Sequence, residues 1–490
     1  MAQITASTLY SLVECPHRIW LDAVEDPAKR DRVSPFVELL WERGSKFERE
    51  TIEGLGQPFL DLSALPTVQK ERDTLAAMQR GEPLIYGGRI VHDDLIGQPD
   101  LLRREGSGYV AGDIKSGSGE EGAEPDDRKP KRHYAVQLAL YTDVLGRQHL
   151  SAGRRAFVWD IHGEEVAYQF DAPQGPRTPE TLWTFYEQTL SEARRILTGN
   201  EKTLPAAAAV CKLCHWYSVC RETVKESDDL SQIPELGRAK RDAMIDQIST
   251  VADLAAINPE GFIKGKKTPF SGVGADSLRK FHDRACLLKT KDAKPYLTKP
   301  VKLPVSERKL HFDIEADPLR DHIYLHGFVV RDRGVADTRF VSFVAEQPTP
   351  EAERAAFADA IGFFRSSPDA IVYVYSAYER TTYRKLQQRY PDVVPAEEIE
   401  ARFDESRTVD LYRIVKSSTE WPTWDHSIKT LAKFLGFQWR DTNPSGAASI
   451  QWYDQFVETG DRALLQRILD YNEDDCRAMI VLLDAIRDMD

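Results

Sequence analysis

Cysteine is scarce in this chain, with six residues in 490. Disulfide-held secreted domains use it far more densely, and no N-terminal stretch reads as a signal peptide. Reduced thiols in a cytoplasmic protein are therefore expected. No apolar run reaches the length of a membrane span, and 41% hydrophobic residues suit a soluble globular chain with no membrane partner. A positive excess is missing as well. The net charge of −13 argues against a protein that coats nucleic acid by bulk attraction. It leaves room for nucleic-acid enzymes, whose metal-binding carboxylates are themselves acidic. A nucleotide-binding loop is also absent. Gly261 to Thr268 has three residues between its glycines where that motif has four, and no apolar strand precedes it. No ATP-driven motor is expected.

The cysteine that is present follows a pattern. Cys211, Cys214 and Cys220 form a C-x2-C-x5-C run, and Cys15 stands alone near the N-terminus. Four thiolates suit either tetrahedral zinc or an iron–sulfur cluster, with His215 an alternative ligand beside Cys214. Ligands so far apart share one centre only if the chain between them folds back on itself. Cys286 and Cys476 have no partner by spacing and read as plain thiols.

At 490 residues the chain has room for two to four domains. Strands are expected over 84–91, 97–103 and 109–115, and a Gly/Ser/Glu/Asp/Pro-rich flexible loop over 116–131. A helix over 133–146, a strand over 155–161 and a helix over 179–198 lead to the cysteine run. Short helices broken by glycine fill 231–288. A Pro/Lys-rich extended linker follows over 289–309. From there strands (309–316, 322–331, 338–345) give way to alternating helices and strands, ending in a helix over 460–488. This is the pattern of an α/β domain.

Two groups of residues carry chemistry. In the first, Asp113 and Lys115 lie two apart on a strand and share a face, with Ile114 behind them. Asp100, in Pro99-Asp100 at the end of the preceding strand, joins them across a hairpin. Two carboxylates can hold a divalent ion while a lysine faces the charge developing on a phosphate. Gly44-x-x-x-Glu48, on an expected helix, offers a third carboxylate. Gln137 and Tyr141 sit one helical turn apart. Lys129, Lys131 and Arg132 supply local positive charge for nucleic acid.

These residues resemble the RecB-type branch of the PD-(D/E)XK nucleases, with its Q-x-x-x-Y signature, over roughly residues 1–225. The likeness extends to AddB-type subunits and to RecB-like exonucleases of CRISPR adaptation. It implies Asp100 and Asp113 as metal ligands, Lys115 as the catalytic lysine and Glu48 as an auxiliary ligand. It also implies that Cys15, Cys211, Cys214 and Cys220 hold a structural 4Fe–4S cluster, with zinc the alternative. Many relatives have histidine where Glu48 stands.

In the second group, Leu310-His311-Phe312-Asp313-Ile314-Glu315 is an apolar strand that places two carboxylates on one face. Tyr471 and Asp475 lie one turn apart on the last helix. Glu379 opens a helix after the strand 372–375, and Asp410 opens another. Carboxylates converging on two divalent ions suit in-line attack of water on a phosphodiester, with a tyrosine to orient that water. The order resembles DEDD exonucleases of ribonuclease-H-like fold, in the tyrosine-bearing branch, and YprB-like domains in particular. Asp313, Glu315 and Asp475 match that pattern, with Tyr471 as the water-orienting residue. Glu379 stands where most of that family has aspartate, and Asp410 and Asp474 are alternates.

In the middle, Gly272-Val273-Gly274 fits a helix–hairpin–helix turn, whose amides can cradle a phosphate. Leu236-Gly237 fits less well, since Glu235 replaces the usual first glycine. The expected architecture is thus an α/β multidomain chain in four parts. They are a PD-(D/E)XK domain (1–225), a helix–hairpin–helix module (229–288), a basic linker (289–308) and a ribonuclease-H-like exonuclease domain (309–490). The whole resembles RecB-like nucleases that join these two domain types. It implies a DNA exonuclease with Mg²⁺ or Mn²⁺ at each of two centres, independent of ATP. Single-stranded DNA or DNA ends are the expected partners, together with a separate helicase. A decayed end-binding scaffold and an RNA exonuclease are the rival readings.

Overall fold

The computed structural model describes residues 3–122, 128–175, 178–318, 320–442 and 445–489. The chain forms two compact units, Met1–Pro205 with Ala209–Cys220, and Ala206–Ala208 with Arg221–Asp490.

In the first unit, helices α1 (Ala6–Glu14) and α2 (Pro16–Val24) meet at Cys15. Proline lacks the amide needed to continue α1, so Pro16 starts a new helix and leaves Cys15 extended at the corner. Helix α3 (Pro35–Glu53) is capped by the Ser34 side chain. Strands β1 (Leu60–Asp61), β2 (Leu84–Tyr86), β3 (Leu101–Glu105) and β4 (Gly108–Ile114) follow. Next come α4 (Arg132–Arg147), β5 (Ser151–Trp159), β6 (Glu165–Gln169), α5 (Leu182–Leu197) and the start of α6 (Tyr217–Glu226). The sheet order is β6-β5-β4-β3-β2-β1. β4 and β5 are parallel, so the chain must cross over between them, and α4 provides that crossover.

Every residue of β4 is buried, as in a central strand sealed on both faces. Tyr109 and Ala111 join the large core formed with α1, α4 and α5. Val110 and Ile114 join a smaller one with Ile52, Leu84, Leu101 and Phe157. Two expectations need correction here. The strand foreseen over 84–91 breaks into Leu84–Tyr86 and Ile90–His92, because Gly87 (φ 65°) turns the chain. The loop foreseen over 116–131 carries a short antiparallel pair, Glu120–Glu121 with Lys129–Pro130. Its residues 123–127 lie outside the described residues.

The second unit opens with short helices α7 (Gly237–Met244) and α8 (Val251–Ala256) and the longer α9 (Ala275–Lys289). They share a core of Leu236, Met244, Leu254, Phe270, Val273 and Leu278. The segment expected as a linker contributes Tyr296–Leu297, paired with Thr419–Glu420. A five-stranded sheet then forms from β7 (Arg308–Asp317), β8 (His322–Asp332), β9 (Arg339–Val344), β10 (Ile371–Val374) and β11 (Thr408–Asp410). Its order is β9-β8-β7-β10-β11. Helices α10 (Pro350–Arg365), α11 (Tyr378–Arg389), α12 (Ile428–Phe434), α13 (Gly446–Thr459) and α14 (Arg462–Arg487) accompany it. Leu310, Phe312 and Ile314 of β7 point into the core with α10 and α11. Strand alternation turns Asp313 and Glu315 to the opposite face, against which α14 packs.

Glu235 adopts the left-handed conformation (φ 67°) that glycine usually fills. Its carboxylate meets Lys280 at 3.0 Å, Arg284 at 2.9 Å and Lys416 at 3.1 Å. Burial pushes this carboxyl up, but the three cations outweigh it and hold it at about 2 against an ordinary 4.5. The unfolded chain therefore binds the proton first as pH falls. The stabilisation is complete above pH 4.5 and is lost as pH falls towards 2. Glu235→Gln is expected to flatten the acid limb of unfolding in this window, read as urea midpoint against pH. A constant offset from wild type across the window would contradict the coupling.

Candidate active sites

Asp100 lies just before β3, the strand preceding β4, at its start rather than at its end as expected. Antiparallel pairing of Leu101 with Gly112 sets it beside Asp113. Asp100 Oδ2 accepts the Ile114 amide at 2.7 Å, and Asp113 Oδ1 accepts the Asp100 amide at 3.4 Å. Lys115 Nζ is 2.9 Å from Asp113 Oδ2 and 5.6 Å from the centre of the Tyr134 ring. Burial, then the charge of Asp113, pushes the Asp100 carboxyl well above its ordinary range. Burial alone would depress Lys115, but Asp113 and Asp100 outweigh it and hold the ammonium above its usual value.

Glu48 accepts the Tyr86 hydroxyl at 2.9 Å, and its charge adds to the shift at Asp100. Gln137 donates to the Tyr141 hydroxyl (3.2 Å), which donates to the carbonyl of Gln98 (3.3 Å), two residues before Asp100. The basic residues are partly engaged. Lys131 lies over Tyr134 at 5.3 Å, and Arg132 meets Glu180 at 3.6 Å and the Phe185 ring at 3.8 Å. Lys129 sits on the short strand pair. Sequence reasoning missed Tyr86 and Tyr134. Tyr134, three residues before Gln137 on the same helix, was within reach of a phase argument.

On the second sheet, Asp313, Glu315 and Asp475 bring carboxylate oxygens within 4.8 Å of one another. Among the described residues no other three acidic, histidine or cysteine donors converge so tightly. Burial, then Glu315 and Asp475, drives the Asp313 carboxyl well above its ordinary range. Burial and Asp475 push Glu315 up to about 8.

Three side chains that no motif marked support the triad. Asn472 Nδ2 donates to Asp313 Oδ2 at 2.8 Å and reaches Glu315 Oε1 at 3.4 Å. Trp439 Nε1 donates to Asp475 Oδ1 at 2.7 Å. Lys429 Nζ donates to the Tyr471 hydroxyl at 2.7 Å and lies 3.4 Å from Asp475 Oδ2. Asn472 was within reach of sequence reasoning as the neighbour of Tyr471. Lys429 and Trp439 come from separate segments and carry no local signal.

Glu379 is buried in the first turn of α11, with one oxygen lacking a hydrogen-bond partner. Burial pushes it up to about 8, and its charge reaches Asp313. Both alternates are engaged elsewhere. Asp474 accepts from the Arg440 amide (2.8 Å) and Nε (3.0 Å), and Asp410 caps the helix Leu411–Ser418.

Gly327 on β8 makes room for this arrangement. A Cβ there would lie 1.6 Å from Asn472 Oδ1. Gly327→Ala is expected to push Asn472 off the carboxylates and cost about 1–3 kcal/mol, as overpacking does. Urea unfolding and nuclease rate should fall together, and a variant with unchanged rate would show that Asn472 is dispensable.

In the first unit, burial raises the Cys214 thiol, and Cys15 and Cys211 are near enough to add to the shift. The Trp216 amide donates to Cys214 Sγ at 3.5 Å. No three of the sulfurs lie within 4.8 Å of one another. His215, weighed as an alternative ligand, has its Nε2 on Asp22 Oδ1 at 2.8 Å. In the helical segment, Val273 is buried between Gly272 (φ 73°) and Gly274, the N-cap of α9.

Residues 5–221 match the family model of the PD-(D/E)XK nuclease superfamily, and residues 310–487 match that of the RNase H superfamily. No curated protein matches the chain.

Proposed function

From a chain that joins a PD-(D/E)XK nuclease domain to an RNase H-superfamily domain, and so hydrolyses phosphodiesters of nucleic acid, we propose a DNA exonuclease with two centres. It is metal-dependent, independent of ATP, and acts on single strands or DNA ends. The observation that carries this reading is the crowding of Asp313, Glu315 and Asp475 within 4.8 Å. Hard carboxylate donors raised by mutual repulsion suit Mg²⁺ or Mn²⁺. Asp313, Glu315 and Asp475 would hold such an ion, which would supply Lewis-acid polarisation of the phosphate and a more acidic attacking water. The protein's own groups set the geometry. Asn472 orients Asp313, Trp439 and Lys429 fix the two oxygens of Asp475, and Lys429 aims the Tyr471 hydroxyl. Glu379 is the fourth carboxylate.

At the N-terminal centre Asp100, Asp113 and Glu48 would hold the ion, and Lys115 would face the charge developing on the phosphate. Gln137 and Tyr141 hold the backbone ahead of Asp100. Cys15, Cys211, Cys214 and Cys220 would hold a structural 4Fe–4S cluster. Cys15 and Cys211 near enough to act on the Cys214 thiol, and an amide aimed at Cys214 Sγ, support one shared centre. The Gly272–Gly274 turn, with Lys129, Lys131 and Arg132, would grip phosphates, and a separate helicase would supply strands in the cytoplasm.

A single-stranded DNA labelled at either end, incubated with Mn²⁺ and no ATP, tests this reading. Ladders shortening from an end are expected, with matched RNA competing poorly. Tight binding in EDTA with no shortening in Mn²⁺ would leave only a binding scaffold.

A further inference from the structure

Trp41 is 61% exposed, whereas Trp20, Trp159, Trp183 and Trp216 of the same unit are buried or half-buried. A lone exposed apolar residue means little by itself. Its phase on α3 is what counts. Seven residues separate Trp41 from Glu48, within about 20° of two full turns and about 10 Å along the axis. The indole therefore stands on the face that carries Glu48 to Tyr86 and Asp100. Gly44 lies between them on that face, where a Cβ would sit 3.7 Å from Ser116 Oγ, next to Lys115.

The two halves of α3 differ. Phe47 and Ile52 anchor its second half in the smaller core. From Phe36 to Arg43 the helix buries Leu39 and otherwise presents half-buried or exposed side chains.

We infer that Trp41 is a stacking platform for an unpaired base of the strand entering the N-terminal centre. An indole offers its face to any base, so selection is for unpaired strand and not for sequence. A paired base is already stacked within its duplex and gains little. The inference rests on the nuclease reading of that centre and adds how its substrate is held.

The test uses full-length protein carrying Asp313→Asn, which silences the other centre. kcat/KM is measured on a single-stranded oligonucleotide and on bis(p-nitrophenyl) phosphate, a diester without bases. Trp41→Ala should lose about tenfold more on the oligonucleotide than on the diester, through KM, with Trp41→Phe restoring most of it. Equal losses on both substrates, or none, overturn the inference.

Should this centre hydrolyse nothing, the nuclease reading of it fails separately. Anisotropy of a labelled oligothymidine on the Asp113→Asn/Asp313→Asn protein then decides. Binding weakened about tenfold by Trp41→Ala, with duplex binding unaffected, supports the platform. Unchanged oligothymidine binding, or a shift from dimer to monomer in its place, overturns it.

Discussion

Asp313→Asn is expected to lower turnover at the C-terminal centre about a thousandfold while leaving the fold intact. The side chain keeps its size and stays within reach of Asn472 Nδ2, which now donates 2.8 Å to Asp313 Oδ2. What disappears is the charge that would hold a divalent ion, worth several kcal/mol of transition-state stabilisation, or about a thousandfold. Removing it also relieves a buried crowd in which Glu315, Asp475 and Glu379 all repel Asp313. The metal-free variant should therefore melt above the metal-free wild type, the usual trade between activity and stability. The rate is best read in an Asp113→Asn background, with melting followed by circular dichroism. An unchanged rate would remove Asp313 from catalysis, and a lowered melting temperature would show that its charge is structural.

Lys115→Ala should behave in the opposite way on stability. Its ammonium lies 2.9 Å from Asp113 Oδ2, and its charge also offsets the repulsion that burdens Asp100. Removing one partner of a buried pair typically costs about 3–5 kcal/mol, because the remaining charges lose their counterion. Activity of the N-terminal centre should fall by on the order of a hundred- to a thousandfold, the scale for losing a preorganised charge opposite a developing anion. Urea unfolding and the rate in an Asp313→Asn background give the two readings. Full stability with lost activity would make Lys115 purely catalytic. Full activity would end the nuclease reading of this centre.

The contrast reflects how the two centres balance charge. The N-terminal carboxylates carry an internal cation within the motif itself. At the C-terminal centre the cation is Lys429, on α12, which bonds to Tyr471, lies 3.4 Å from Asp475 Oδ2, and reaches Asp313 through its charge.

Much of both sites was legible as local periodicity. Residues two apart on a strand share a face, which pairs Asp113 with Lys115 and Asp313 with Glu315. Residues four apart on a helix do the same for Gln137 with Tyr141 and Tyr471 with Asp475. Each pair sits on an element within a few residues of where the pattern placed it. Cys15 and the distant cysteine run were legible only as a set that needed the chain to fold back. The breaks at Gly87 and the short strand at Tyr296–Leu297 were harder to read. A single glycine and a two-residue pairing are weak signals against the runs around them.

The sequence alone therefore determined which side chains leave an element together, because the strand and helix repeats are properties of the local backbone. The tertiary structure decided what those side chains meet. Sheet register put Asp100 opposite Asp113, and chain folding brought Lys429, Trp439 and Asn472 onto the triad. It also turned Asp474 to Arg440 and His215 to Asp22, away from the roles their positions in the sequence suggested. These partners lie between 13 and 193 residues apart along the chain. No repeat of 2 or 3.6 residues relates them, and only strand pairing and packing within each unit bring them within hydrogen-bond distance.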